Sequence, residues 1–156
     1  MSTEPHEHFL LLMREIGPAL DLECATPDDE DPRSARWTLT VEGEDRFTFT
    51  HLVEKRMLLI SVAVGAPVTS DHYRTLLFSN GLFEQTGGVR MGLTYPYGKI
   101  VMSFEAALDD LSLSQLTALL FNLTDNLVRW RELIETIPSS DEGLAPEAVS
   151  AGGLRV

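Results

Sequence analysis

Basic residues are scarce in this chain, 12 Lys and Arg against 24 Asp and Glu, for a formal net charge of -12 over 156 residues. A phosphate backbone is neutralised by clustered Lys and Arg, so the charge argues against DNA and RNA as partners. Cysteine occurs once, as Cys24, which rules out an internal disulfide and any sign of an oxidising compartment. The acids beside it, Asp21 and Glu23, disfavour a reactive thiolate, so a buried or idle thiol is expected. The longest largely apolar run, Met57 to Val64, is strand-sized and far too short to span a bilayer. The opening residues lack the basic flank of a signal peptide. A cytoplasmic protein without membrane insertion is the expectation.

Signatures of catalysis are missing as well. Four histidines, His6, His8, His51 and His72, stand outside any HExxH pattern, and no ring of Cys and Asp completes a metal site around them. His6 and His8 read as solvated residues near a terminus, and His51 as a surface or cross-strand residue. Gly87-Gly88 is not followed by the Lys and Ser or Thr of a phosphate loop, and no GxGxxG opens a helix after a strand. The acids gather in Asp28 to Asp31 or in turns, where nothing buries a pair as an acid-base dyad requires. The chain therefore reads as a non-enzyme with no cofactor and no metal.

What is present is periodic apolar surface. Phe9, Leu12, Met13 and Ile16 fall on one face of a helix from Glu7 to Ile16, which Gly17-Pro18 is expected to stop. The loop Thr26 to Pro32, with two prolines and massed acids, should be exposed and form neither helix nor strand. Arg36 to Val41 alternates, with Trp37, Leu39 and Val41 on one face and Thr38 and Thr40 on the other. Arg46 to Val53 repeats the pattern with Phe47 and Phe49 inward, and Met57 to Val64 is apolar on both faces, which places it centrally.

A second helix carries Tyr73, Leu76 and Leu77, is capped by Thr69 or Ser70, and is expected to stop at Asn80-Gly81 through a left-handed glycine. A hairpin follows, Val89 to Tyr95 and Lys99 to Phe104 around Pro96-Tyr97-Gly98. The final helix opens on Ser112 and Gln115, a capping-box pair, and its seam steps Leu113, Leu116, Leu120, Leu123, Leu127, Trp130, Ile134, Ile137. Off the seam, Leu119, Phe121, Val128 and Leu133 add apolar surface that one core need not cover. The order α-βββ-α-ββ-α predicts an α+β domain over residues 1–137, a twisted antiparallel sheet packed on helices. Residues 138–156 turn small, polar and acidic and read as a flexible tail.

With these residues in view, the chain resembles the class I chaperones of type III secretion, the Tir-chaperone-like family. The likeness runs from about Phe9 to Leu133. It is carried by Phe9-x-x-Leu12-Met13-x-x-Ile16, Trp37-Thr38-Leu39, Leu76-Leu77-x-x-Asn80, Gly92-Leu93 with Gly98-x-Ile100-Val101-Met102, and Leu116-x-x-Leu119-Leu120-Phe121 with Trp130. The resemblance implies a homodimer that holds the N-terminal region of a secreted effector extended along a sheet edge and surface patches. It leaves a secretion ATPase as a further partner, and the Asp-rich loop and tail leave room for an HpaB-type broad-specificity subtype.

Leu76, Leu77, Leu82, Phe83, Met91 and Leu93, beside the Gly-rich turn, are the candidate dimer interface. Leu52, Met57 and Leu59, on the sheet face opposite Phe47 and Phe49, are the candidate client-binding residues. A YbjN-like assembly or regulatory protein of the same architecture is the alternative.

Overall fold

The computed structural model describes residues 4–66, 69–82, 87–94 and 98–137. The tail from residue 138 and the candidate Phe83 lie outside them. Elements follow in the order α1 (Pro5–Ala19), β1 (Thr26–Pro27), β2 (Arg36–Val41), β3 (Asp45–Leu52), β4 (Met57–Gly65), α2 (Ser70–Gly81), β5 (Arg90–Leu93), β6 (Ile100–Ala107) and α3 (Leu113–Thr136). The strands make one six-stranded sheet, ordered β1-β2-β3-β4-β6-β5, with every neighbouring pair antiparallel. This is the expected α+β arrangement with one strand more.

That extra strand corrects the reading of the acidic loop. Thr26 and Pro27 pair with Thr38 and Trp37, and the Thr38 hydroxyl donates to Asp28 at 2.6 Å. Pro27 is tolerated because this is a two-residue edge, where a missing N–H costs little. A second correction concerns α1, which runs through Pro18 to Ala19. Gly17 is there for close packing: a Cβ on it would lie 2.9 Å from Cys24 Cα and clash with the Glu23 carbonyl. Gly81 likewise stays helical, and α2 caps at Leu82 with φ -98°. Left-handed glycines occur later, at Gly87 and Gly88.

One face of the sheet makes the core. Alternation sends Trp37, Leu39, Phe47, Phe49, Leu58 and Ile60 inward, all buried, where they meet Phe9, Leu12, Met13 and Ile16 of α1. The seam of α3 closes this layer through Leu116, Leu120, Leu123 and Leu127. Each fully buried aliphatic or aromatic side chain contributes about 1.5–3 kcal/mol, so these three rows dominate stability. Helix α3 starts as its residues require: Gln115 N–H donates to Ser112 Oγ, and Ser112 N–H to Gln115 Oε1 at 2.8 Å.

The angle of α3 is pinned near its far end. The Arg131 guanidinium grips Asp45 bidentately at 2.7 and 3.0 Å and donates to the carbonyls of Ala63 and Val64. The hydrogen bonds to Asp45 raise the Arg131 pKa above its ordinary value, with the Asp45 charge adding and burial opposing. Helix α2 is tied in by Asn80, whose amide donates to the Met91 carbonyl at 2.7 Å and accepts from Met91 N–H at 2.8 Å. The side chain acts as a short strand and satisfies the outer edge of β5.

Candidate functional site

On the outer face of the sheet, the register brings the three client-binding candidates together. Leu52 stands directly opposite Met57, and Leu59 follows on the same face of β4, paired with Thr50. On the other side Met57 faces Ala107 and Leu59 faces Glu105. All three side chains are half-buried, in a face that also carries Arg36, Thr38, Thr40, Arg46, Thr48, Thr50, Ser61, Ala63, Val101 and Ser103. The result is a small apolar patch on a polar sheet, with one acid at its margin.

The dimer candidates divide by exposure. Leu77 is 73% exposed and Leu93 48%, while Leu76 and Met91 are buried within the chain and serve its own core. Leu82 is half-buried. Two residues outside the candidate set join the exposed group: Phe78 at 71% and Tyr73 at 41%. Periodicity assigns Leu76 and Leu77 to one helix, but only the position of β5 decides which of them is covered. Phe78 carried a signal that was available, since an aromatic one residue past a core pair cannot share its face.

His6 and His8, expected to be solvated, are hydrogen-bonded into the structure, and His51, expected in a surface or cross-strand part, is a buried residue of β3 paired with Leu58. His8 Nε2–H donates to the Leu111 carbonyl at 2.7 Å. His72, buried in the first turn of α2, accepts on Nδ1 from the Thr69 N–H and donates from Nε2 to the Ile134 carbonyl at 3.0 Å. His51 is buried as well, and its ring stacks on His6 with centroids 5.3 Å apart. His6 must be protonated on Nε2, because that atom faces the Arg33 carbonyl at 2.8 Å and a carbonyl only accepts. With both rings neutral, its Nδ1 is the acceptor for His51 Nδ1–H at 3.0 Å. This leaves His51 Nε2 as a bare lone pair, buried with no partner among the described residues.

Burial, and then repulsion from His6 once that ring is protonated, lower the His51 pKa from its ordinary value. The unfolded chain binds that proton near pH 6.5 and the folded chain only at lower pH. The stability from neutral His51 is therefore complete above about pH 6.5 and is lost as pH falls through the folded-state value. The other groups facing the pair are Phe9 and, beyond His6, the Glu7–Arg33 ion pair at 2.8 Å. Urea unfolding at about pH 7.5 and about pH 5.5 should show an acid loss that His51→Phe reduces. An equal loss in both proteins would mean that other groups carry it.

Among the described residues no group of three or more His, Cys, Asp or Glu converges to hold a metal ion. Cys24 is exposed rather than buried. No helix among them is long and apolar enough to cross a membrane. The arrangement offers apolar patches and strand edges, which are means of binding a polypeptide.

Comparison with solved structures gives the same architecture. The chain is similar to one in the ExsC-ExsE complex, with a TM-score of 0.73, 20% identity, and coverage of 87% of this chain and 100% of that one. A chain in the HopA1-SchA chaperone-effector complex follows at 0.67 and 16%, covering 81% and 95%. A third likeness is to a chain in the complex of the Yersinia pestis type III secretion chaperone SycH with a YscM2 fragment, at 0.60 and 19%, covering 78% and 98%. No curated protein matches by sequence. The model of the Tir chaperone protein (CesT) family matches residues 12–131, from the second turn of α1 to the Arg131 anchor, and does not distinguish an HpaB-type subtype. The chain belongs to the Tir chaperone protein (CesT) family.

Proposed function

We propose that this protein is a cytoplasmic, non-catalytic chaperone of type III secretion. It binds the N-terminal region of an effector as a homodimer, keeps it extended, and delivers it to the secretion apparatus, where a secretion ATPase is the receiving partner. The observation that carries this reading is the family match together with an apolar patch, Leu52, Met57 and Leu59, half-buried on the sheet face opposite the buried Phe47 and Phe49. Support comes from the neighbouring folds, which include a chaperone-effector complex. The mode of binding it favours is an extended segment lying across the sheet, with apolar side chains on the patch and backbone bonds at an edge. The homodimer is supported by Tyr73, Leu77, Phe78 and Leu93, an exposed apolar group on α2 and β5.

Co-purification with N-terminal fragments of secreted proteins from the source organism tests the client. The wild type should retain one such fragment through size exclusion, and Leu59→Asp should weaken capture by about tenfold or more, because a carboxylate would be desolvated beneath the client. Its circular dichroism should match the wild type, since the side chain is not in the core. Full capture by Leu59→Asp would remove the patch assignment. Failure of any secreted fragment to bind the wild type would favour the YbjN-like alternative.

A further inference from the structure

His51 is fixed to the sheet. It lies in β3 opposite Leu58, its backbone N–H donates to the Ala35 carbonyl at 2.8 Å, and its buried ring stands beside Phe9. His6, by contrast, is the second residue of α1, and Glu4 caps that helix without a side-chain hydrogen bond. Apart from the His6–His51 contact, the first turn is tied to the rest of the described chain in three places. His6 Nε2–H donates to the Arg33 carbonyl at 2.8 Å, Glu7 pairs with the Arg33 guanidinium at 2.8 Å, and His8 Nε2–H donates to the Leu111 carbonyl at 2.7 Å. Two of the three end on Arg33.

The imidazole pair has room for one bridging proton. The two Nδ1 atoms are 3.0 Å apart, in planes 14° from parallel, and a single N–H lies between them. A further proton on His6 Nδ1 would set two donors against each other at that distance. Relieving this clash means moving the His51 proton to Nε2, the same atom that direct protonation of His51 would fill. That atom is buried, and no described residue bonds to it. Every protonated form that keeps the contact therefore buries an unsatisfied N–H together with a positive charge, a penalty that outweighs the one hydrogen bond preserved.

We propose that His6 and His51 form a proton-sensitive latch, which holds the first turn of α1 closed while both rings are neutral and releases it in mild acid. His6 is the ring that moves, because β3 is an interior strand and His6 stands at a helix end. A charged imidazole there is also opposed by the unpaired N–H groups of the helix N-terminus. Lifted into water, His6 satisfies both of its N–H groups. The open turn then binds the proton better than the closed one, and acid shifts the balance toward it. The lowered pKa of His51, from burial and then from repulsion by protonated His6, has the same sign. The charged groups around the pair are Glu4 and Glu7 on α1 and Asp31 and Arg33 on the loop before β2, while β4 presents Leu58. Glu7 is engaged by Arg33, Asp31 accepts the Arg33 N–H, and neither bonds to a ring of the pair. Release unties α1 from the loop that leads into β2.

Nuclear magnetic resonance of the isotope-labelled full chain tests the latch. At about pH 7.5 the ring nitrogens should show His6 protonated on Nε2 and His51 on Nδ1. A His51 ring protonated on Nε2 at that pH would remove the bridge and overturn the proposal. Between about pH 7.5 and about pH 5.5, the amides of residues 8–10, which bond to first-turn carbonyls, should lose about tenfold in exchange protection after correction for the intrinsic rate. Those of β3 and β4 should keep theirs. His51→Phe leaves an aromatic ring beside Phe9 without a proton site, so protection over residues 8–10 should be equal at both pH values. His6→Phe, made at a half-buried position, should behave in the same way and covers the case of a misfolded His51→Phe. An undiminished loss over residues 8–10 in both variants would place the responsible proton elsewhere and overturn the latch. A loss shared equally by β3 and β4 in the wild type would overturn it too, since the chain would then be unfolding as a whole.

Discussion

Phe49→Ala is expected to cost about 3–5 kcal/mol, because it deletes a fully buried ring from the centre of the sheet and leaves a cavity that its neighbours close only in part. Phe49 sits between Trp37 on β2 and Ile60 on β4, both directly paired with it and both buried. These neighbours belong to interior strands tied on both sides, so the backbone cannot collapse inward to refill the space. A domain of this size has about 5–15 kcal/mol in total, so the variant should lose a large share of its stability and unfold at a markedly lower urea concentration. Urea unfolding of wild type, Phe49→Ala and Thr50→Ala measures the contrast. Thr50 lies one residue along on the outer face, and its truncation should stay within about 0.5 kcal/mol. A Phe49→Ala cost near 1 kcal/mol would mean a core far softer than this packing implies.

Light scattering at micromolar concentration should give the wild type twice the 17.3 kDa mass of one chain, and Leu77→Glu should return it to a single chain. In one protomer Leu77 is 73% exposed, so the glutamate is solvated there and costs almost nothing in folding. Buried against a second copy, the same carboxylate would lose its water without gaining a partner, a cost of several kcal/mol that the association cannot absorb. Phe78→Glu should act in the same way, and Leu93→Glu more weakly because that side chain is already half covered. Leu76→Glu should behave differently and unfold the chain, since Leu76 is buried within the protomer. A wild type that elutes as one chain of 17.3 kDa would sink the homodimer.

The contrast between Leu76 and Leu77 illustrates how far local pattern reaches. Where a property depends on the next few residues, the sequence alone determined it. The Ser112–Gln115 capping box opens α3 because both partners lie within one turn, and the alternation of Trp37, Leu39, Phe47 and Phe49 fixes the buried face because side chains in a strand have period two. The apolar character of β4 on both faces placed it in the sheet interior, and it lies between β3 and β6. The placing of Leu52, Met57 and Leu59 on one outer face follows from the same parity.

What depended on distant partners was decided only by the tertiary structure. Gly17 looked like a helix stop, but its role is set by residues 23–24 crossing over it, and α1 continues through Pro18. Gly81 stays helical, so its freedom to adopt positive φ was not used. His51 read as a surface or cross-strand residue beside Thr50; it does lie in the paired strand, and α1 brings His6 against it from 45 positions away. Thr26–Pro27 became a strand because β2 offered an edge at that height. A chain's own residues set which elements form and which faces are apolar, through short-range sterics and hydrogen bonding. Which faces are then covered, and which edges are left for another polypeptide, depends on the long-range packing that brings those elements together.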